Sequence, residues 1–244
     1  MPDSKKRGAF IVIEGLDRSG KSTQAAKLCE RLEHEDIPVK LQKFPGTCLS
    51  LSYAKSTYFA SVPDRTTTIG KMIDSYLRSE SELDDHTIHL LFSANRWELA
   101  NSLEKTLNAG TTVLCDRYAF SGIAFSASKG LSYEWCRAPD VSLPAPDLTL
   151  FLDITPEKAK ERGGYGEERY EKEETQRRVR QVFARMGEEM TSGSQDSSHG
   201  QWITVDAGRG VDIVAEDIWT HIRPLASGVS GPLNRLWSDH LNHS

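Results

Sequence analysis

Residues 15–22 read Gly-Leu-Asp-Arg-Ser-Gly-Lys-Ser, which fits the pattern GxxxxGK[ST]. Few stretches of this length restrict a fold more, because their chemistry works only where a strand ends and a helix begins. The glycines let the backbone curl around an anion, amide N–H groups and the helix N-terminus face it, and the lysine reaches its outer oxygens. The flanks meet that demand. Residues 9–14 form an apolar run closed by Glu14 and read as a buried strand. Downstream, Ala25, Leu28, Cys29 and Leu32 recur at i, i+3, i+4 and i+7, one face of a helix. Gly15, Leu16, Asp17, Arg18, Ser19, Gly20, Lys21, Ser22 and Thr23 are therefore the candidate site for a nucleotide's phosphates. Lys21 serves the β and γ oxygens there, and the Ser22 hydroxyl is available to Mg²⁺.

The rest of the chain repeats the alternation of strand and helix. Residues 39–44, 112–115, 148–153 and 202–205 are further strand candidates, and helical spacing marks 69–78, 85–108, 156–162 and 175–190. This order predicts an α/β fold of the P-loop NTPase kind, three layers α/β/α around a five-stranded parallel sheet, with ligands at the carboxyl ends of the strands. No internal repeat or long linker divides the 244 residues, so a single domain over residues 1–244 is expected. Residues 191–201, rich in Ser and Gly, read as a solvated connection.

Composition removes several functions. With Lys+Arg 30 against Asp+Glu 35, the formal net charge of −5 argues against a non-specific nucleic-acid coat, which needs a basic excess. No run of about 18 apolar residues exists to span a membrane. Residues 1–7 lead into too short an apolar stretch for a secretory leader. Cys29, Cys48, Cys115 and Cys136 lack the CxxC spacing of a zinc site and the density of a disulfide scaffold, and at least three of them read as buried or incidental thiols in a reducing compartment.

Beyond the phosphate loop, arginines stand where an anion would lie. Asp116-Arg117-Tyr118 closes an apolar strand, so Asp116 is placed to orient Mg²⁺ through water and Arg117 to clamp a phosphoryl group. Arg96 follows Phe92 by one helical turn within a mostly apolar helix, which suggests a base stacked on Phe92 and hydrogen-bonded by Arg96, although Phe92 as plain core fits the same spacing. Arg162-Gly163-Gly164-Tyr165-Gly166, ahead of Glu168-Arg169-Tyr170-Glu171, reads as a glycine-hinged lid over residues 162–171. The NKxD sequence of a GTPase and the HRD and DFG signatures of a protein kinase are missing.

These segments together, IVIEGLDRSGKSTQ, the Phe44-Pro45 turn, DRTTTIGK, HLLFSANRWE, DRYAFSGIAFS, PDLTLFLD, RGGYGEERYE and GPLNRLW, resemble the thymidylate kinase family over nearly the whole chain. The resemblance implies transfer of the ATP γ-phosphate to dTMP, with Mg²⁺. It implies that Asp17 meets the sugar 3′-hydroxyl, that Arg65 and Arg117 hold the dTMP phosphate, and that Phe92 stacks on thymine while Arg96 reads a carbonyl. Phe44, Ser121, Gly122 and Tyr170 then line the substrate pocket, and Phe125 crowds the 2′ position. Ser22, Asp116 and Glu171 arrange the metal, and Arg162 and Arg209 flank the adenine. Arg18 in the phosphate loop, beside a lid core without basic residues, resembles the eukaryotic type, with Arg18, Lys21 and Arg117 as catalytic cations. The resemblance also implies a homodimer and a cytoplasmic enzyme, a nuclear share being left open, with neither nucleic acid nor membrane as partner. Two rivals remain. A deoxynucleoside kinase would need a carboxylate base just after the second strand, and a regulatory nucleotide-binding module would lack turnover.

One segment departs from the family. Residues 46–63 separate Phe44-Pro45 from Asp64-Arg65, which the family joins directly. The insert is apolar and aromatic (Leu49, Leu51, Tyr53, Tyr58, Phe59, Val62) without regular spacing. Three readings stay open: an ordered surface excursion, a cover over the pocket or a subunit interface, and a translated intron. Pro45-Gly46-Thr47-Cys48 is encodable with the donor-like string GTACGT, Val62-Pro63-Asp64 is encodable with a closing CAG, and the insert keeps frame. On the intron reading, the main mature transcript lacks the codons for 46–63, and sequencing it decides the matter. A main species retaining them refutes that reading.

Overall fold

The computed structural model describes residues 6–44, 67–162, 173–192 and 200–237. Their framework is one parallel sheet of five strands: β1 (Phe10–Gly15), β2 (Val39–Lys43), β3 (Thr112–Asp116), β4 (Leu148–Asp153) and β5 (Gln201–Asp206), in the spatial order β2-β3-β1-β4-β5. Parallel neighbours need crossovers, and helices supply them: α1 (Lys21–His34), α2 (Thr68–Leu77), α3 (Asp85–Asn108), α4 (Ala119–Ala127), α5 (Tyr133–Arg137), α6 (Pro156–Lys160), α7 (Glu173–Ser192) and α8 (Val211–Ile222). This is the expected α/β architecture. The first-laid strand lies at the centre, and β1 and β3 stay paired to their carboxyl ends, where the segments that follow them meet at one edge of the sheet.

The strands at the centre are buried throughout because helices cover both faces. Every residue of β1 and β3 is buried. A single apolar cluster includes Phe10, Val12, Leu114, Leu150, Phe183 and Ile218, and a smaller one joins Ile73 and Tyr76 of α2 to Ile88 of α3. Each such side chain contributes about 1.5–3 kcal/mol by leaving water. Cys115 lies within β3, fully buried, and that burial drives its thiol pKa well above the ordinary range.

Helix α3 and strand β4 occupy the limits expected of them, and other elements differ by a residue or two at their ends. Three helices were not anticipated. In α4 the sequence AFSGIAFSA is apolar nearly all round and shows no contrast between faces. The five residues of α5 are too few for a period, while α8 does carry one, with Val214, Ile218 and Ile222 buried at steps of four. The expected helix 156–162 stops at Lys160, and Arg162 enters a turn that sends its side chain to the phosphate loop. Strand β2 ends at Lys43, but the Phe44 N–H still donates to the Asp116 carbonyl at 3.0 Å, so the ladder runs one bond further.

The entry into β1 is pinned by Asp147, which accepts from Arg7 Nη1 and Nη2 at 2.8 and 2.7 Å and from the Phe10 N–H at 2.8 Å. Arg7 is almost fully buried, so loss of this carboxylate strands a charge and an amide together. Asp147→Ala is expected to cost about 3 kcal/mol in urea unfolding. Glu104→Ala, which removes the carboxylate facing the more exposed Arg235, should cost less than about 1 kcal/mol.

Candidate active site

The phosphate loop joins β1 to α1 through backbone that only certain residues adopt easily. Gly20, the residue before α1, has φ 93°, in the left-handed region where glycine is unstrained. A Cβ on Gly15 would fall 2.7 Å from the Leu152 carbonyl oxygen and from Ser19 Oγ. Arg18 also takes a positive φ, 61°, at a cost that side-chain residues meet mainly at functional turns. With no side-chain cap at Gly20, the first N–H groups of α1 are presented to an anion.

Lys21 lies under the loop, donating to the Leu16 carbonyl at 2.5 Å and to Ser19 Oγ at 3.4 Å. Burial, and then the nearby Arg117 charge, lower its pKa to about 8, against the opposing pull of Asp17, Asp116 and Glu14. At the end of β3, Asp116 Oδ2 accepts from the Ser22 hydroxyl at 2.6 Å. The Lys43 ammonium lies 3.2 Å from Ser22 Oγ and 3.5 Å from Asp116 Oδ2.

Arg117, at φ 70°, bonds Asp17 through Nη2 and reaches the Gly15 carbonyl at 3.3 Å and Ser121 Oγ at 3.2 Å through Nη1. Its guanidinium stands 5.3 Å over the Phe125 ring. Asp17 is held from the other side by Gln176 of α7, whose Nε2 donates to Oδ2 at 2.8 Å and whose Oε1 accepts the Asp17 N–H at 3.2 Å. Beneath them is Glu14, wholly buried, with Oε1 accepting the N–H groups of Tyr118 and Ser121 and Oε2 bonded to the Ser121 hydroxyl. Burial raises the Glu14 pKa, while Ser121 and Arg117 pull it down.

A second group lies against α4. Arg96 is buried and spans Asp140 with two bonds, Nε to Oδ1 at 3.0 Å and Nη2 to Oδ2 at 2.5 Å, while Ser93 Oγ donates to the same carboxylate at 2.7 Å. Gly122 packs flush on the guanidinium, where a Cβ would come within 3.0 Å of both Nη atoms. Phe92 is half-buried beside the small α2–α3 cluster, and Phe44 is in the core, 5.7 Å from the Tyr118 ring. At the far end of the phosphate loop, Arg162 donates to the Arg18 carbonyl at 3.0 Å and also to the Ala207 carbonyl. Arg209 turns back on the Asp206 carbonyl at 2.9 Å and pairs with Asp217.

The fold thus brings Asp17, Lys21, Ser22, Asp116, Arg117, Ser121 and Phe125 to the carboxyl ends of β1 and β3, with Arg96 and Gly122 beside them and Arg162 and Arg209 across the loop. Thr23 is exposed on α1. Arg65, Tyr170, Glu171, the insert 46–63 and all of the expected lid but Arg162 lie outside the described residues. Glu14, Lys43, Asp140 and Gln176 are additions. Of these only Glu14, an acid interrupting an apolar strand, carried a signal in the sequence.

Mg²⁺ prefers hard oxygen ligands and keeps several waters. A hydroxyl and a carboxylate 2.6 Å apart, with an ammonium already drawn to them, fit such an ion. No cluster of three or more His, Cys, Asp or Glu able to hold a metal occurs among the described residues. No described helix is long and apolar enough to cross a membrane. A separate cavity of about 860 Å³ lies between α7 and β5, lined by Arg177, Arg180, Phe183 and Trp202, and none of the candidate residues borders it.

A family model described as thymidylate kinase matches residues 49–218. The thymidylate kinase of Arabidopsis thaliana is 46% identical over 238 residues, covering 96% of this chain and 79% of its own length. That of Schizosaccharomyces pombe is 46% identical over 226 residues, 93% and 95% of the two chains, and that of Homo sapiens 40% over 234 residues, 95% and 98%. A solved structure of thymidylate kinase from Candida albicans, reported as revealing the origin of broad substrate specificity and a novel structural element, is similar with a TM-score of 0.75 and 35% identity. It covers 95% of this chain and 99% of that one.

The lowered pKa of Lys21 has a measurable sign. An arriving phosphate stabilises the ammonium and raises the pKa from about 8 toward the ordinary lysine range, so binding takes up a proton only where the free enzyme has lost one. ADP binding at pH 8 is expected to take up about half a proton, seen as a dependence of calorimetric heat on buffer ionisation enthalpy. This uptake should vanish in Lys21→Met.

Proposed function

The chain belongs to the thymidylate kinase family, enzymes that phosphorylate dTMP with ATP as donor, and we propose that Lys21, Arg18 and Arg117 are the cations that carry the transfer. The observation that supports this most directly is the meeting of Lys21, Asp116 and Arg117 at the ends of the two central strands, with the α1 N-terminus between them.

On this reading an oxygen of the dTMP phosphate attacks the γ-phosphorus of ATP in line. The new P–O bond forms as the bond to the β–γ bridging oxygen breaks, giving dTDP and ADP. The acceptor is already an anion at neutral pH, so no strong base is required, and catalysis consists of positioning and charge stabilisation. Lys21 exchanges its loop carbonyl for β and γ oxygens. Arg117, oriented by Asp17 and stacked on Phe125, faces the acceptor phosphate with Arg65. Ser22 and Asp116, with Glu171, would hold Mg²⁺, which when bound supplies positive charge to the β and γ phosphates.

The Asp17 carboxylate has lone pairs beyond those used by Arg117 and Gln176 with which to meet a 3′-hydroxyl. Arg96, squared up by Asp140, and Phe92 recognise the base, with Phe44, Ser121, Gly122 and Tyr170 shaping the pocket and Phe125 closing the 2′ side. Arg162 and Arg209 flank the adenine. The reading also comprises one domain, a lid over 162–171, a homodimer, and action in the cytoplasm. A deoxynucleoside kinase is disfavoured because the described end of β2 offers the cation Lys43 rather than a carboxylate base.

A coupled ADP-release assay across dTMP, dUMP, dCMP, AMP and thymidine tests the substrate. dTMP should turn over fastest and thymidine not at all, whereas turnover of thymidine alone would mean a nucleoside kinase and no turnover a binding module. In the same assay Arg18→Ala should lower kcat by roughly 10² to 10⁴ while dTMP affinity changes little. A near-normal kcat would remove Arg18 from the mechanism.

A further inference from the structure

The oxygen pair assigned above to Mg²⁺ is already attended by a cation of the protein itself. Sheet register sets Lys43 directly opposite Asp116, and paired residues of parallel neighbours project to the same face. The result is a triangle. Ser22 Oγ donates to Asp116 Oδ2 at 2.6 Å and accepts from Lys43 Nζ at 3.2 Å, and the ammonium lies 3.5 Å from the same carboxylate oxygen. Asp116 is almost wholly buried, while Lys43 is about one-fifth exposed and hangs from the last residue of an edge strand on a flexible stem. The carboxylate is anchored and the ammonium is free to leave.

We propose that Lys43 is a built-in competitor for the divalent-metal position, neutralising Asp116 in the empty enzyme and yielding it when a metal arrives with its nucleotide. The proposal rests on the assignment of the metal to Ser22 and Asp116. A divalent ion and an ammonium on one carboxylate repel each other strongly at contact distance. A bare ion must displace Lys43 with no compensation, so it binds weakly. A metal that enters on a di- or triphosphate brings anionic oxygens that accept the displaced ammonium, so the site selects the metal–nucleotide complex over the free ion. Lys43 is thereby a positioning and selectivity residue, distinct from the cations that meet the transferred phosphoryl group.

Binding of Mn²⁺, followed by electron paramagnetic resonance with and without ADP, tests this without reference to turnover. Lys43→Met should bind bare Mn²⁺ roughly tenfold more tightly than the unaltered chain and Mn²⁺ with ADP by a much smaller factor, narrowing the preference for the complex. Lys43→Arg, which keeps the charge, should retain the weak binding of the bare ion and shows that the fold survives substitution here. Unchanged or weaker binding of bare Mn²⁺ by Lys43→Met overturns the proposal. Asp116→Asn separates the two levels of the argument. If it weakens Mn²⁺–ADP binding while Lys43→Met has no effect, Lys43 alone is refuted, and if it leaves Mn²⁺–ADP binding unchanged, the metal assignment fails and the proposal with it.

Discussion

Two cations, Lys21 and Arg117, share a desolvated space at the carboxyl edge of the sheet, and the surrounding structure answers to that fact. Their repulsion is one of the causes that lower the Lys21 pKa to about 8. The counter-charges come from three places: Glu14 inside β1, Asp17 in the phosphate loop and Asp116 at the end of β3. At Lys21 burial and the Arg117 charge outweigh all three, so its pKa stays below the ordinary lysine range. Without nucleotide the site is therefore a compromise, with Arg117 paired to Asp17 and Lys21 leaning on a neutral backbone carbonyl, a contact weaker than the one a phosphate would offer.

The compromise is held in place by backbone. Arg18 and Arg117 both take positive φ, and the second follows immediately on a strand whose Asp116 is paired on both sides, to Ile13 and to Lys43. Glu14 then ties the start of α4 down by accepting two of its amides and a hydroxyl. A buried carboxylate that replaces a cap for one turn of chain is a strong reason for that turn to have one geometry. The same helix carries Ser121, Gly122 and Phe125, so the proposed substrate side of the site inherits its position from an acid at the end of β1.

Legibility in the sequence follows the range of the interactions. The phosphate loop, its strand and its helix could be read because their signals are local, and so could α3, whose apolar positions recur over 24 residues between the Asp84 cap and Gly110. Strand β4 is a six-residue apolar run with clear ends. The opposite holds for Gln176, which meets Asp17 across 159 positions, and for Asp140, which meets Arg96 across 44. No spacing rule relates such residues, and neither type is unusual where it stands. Lys43 is an intermediate case: its neighbour is dictated by strand register, which the sequence suggests only once the strand order is known. Helix α4 escaped because a segment buried on all sides has no polar face to betray its period.

Cys115 sits one residue before Asp116, in the strand whose end forms the site, and its thiol is both inaccessible and held in its protonated form. A thiol in that condition does not react with alkylating or oxidising reagents, since the reactive species is the thiolate. Its reactivity is thus a natural clock for the opening of β3. Any ligand that tightens the junction of Ser22, Asp116 and Arg117 slows that clock, so the core cysteine reports occupancy of a site it never touches.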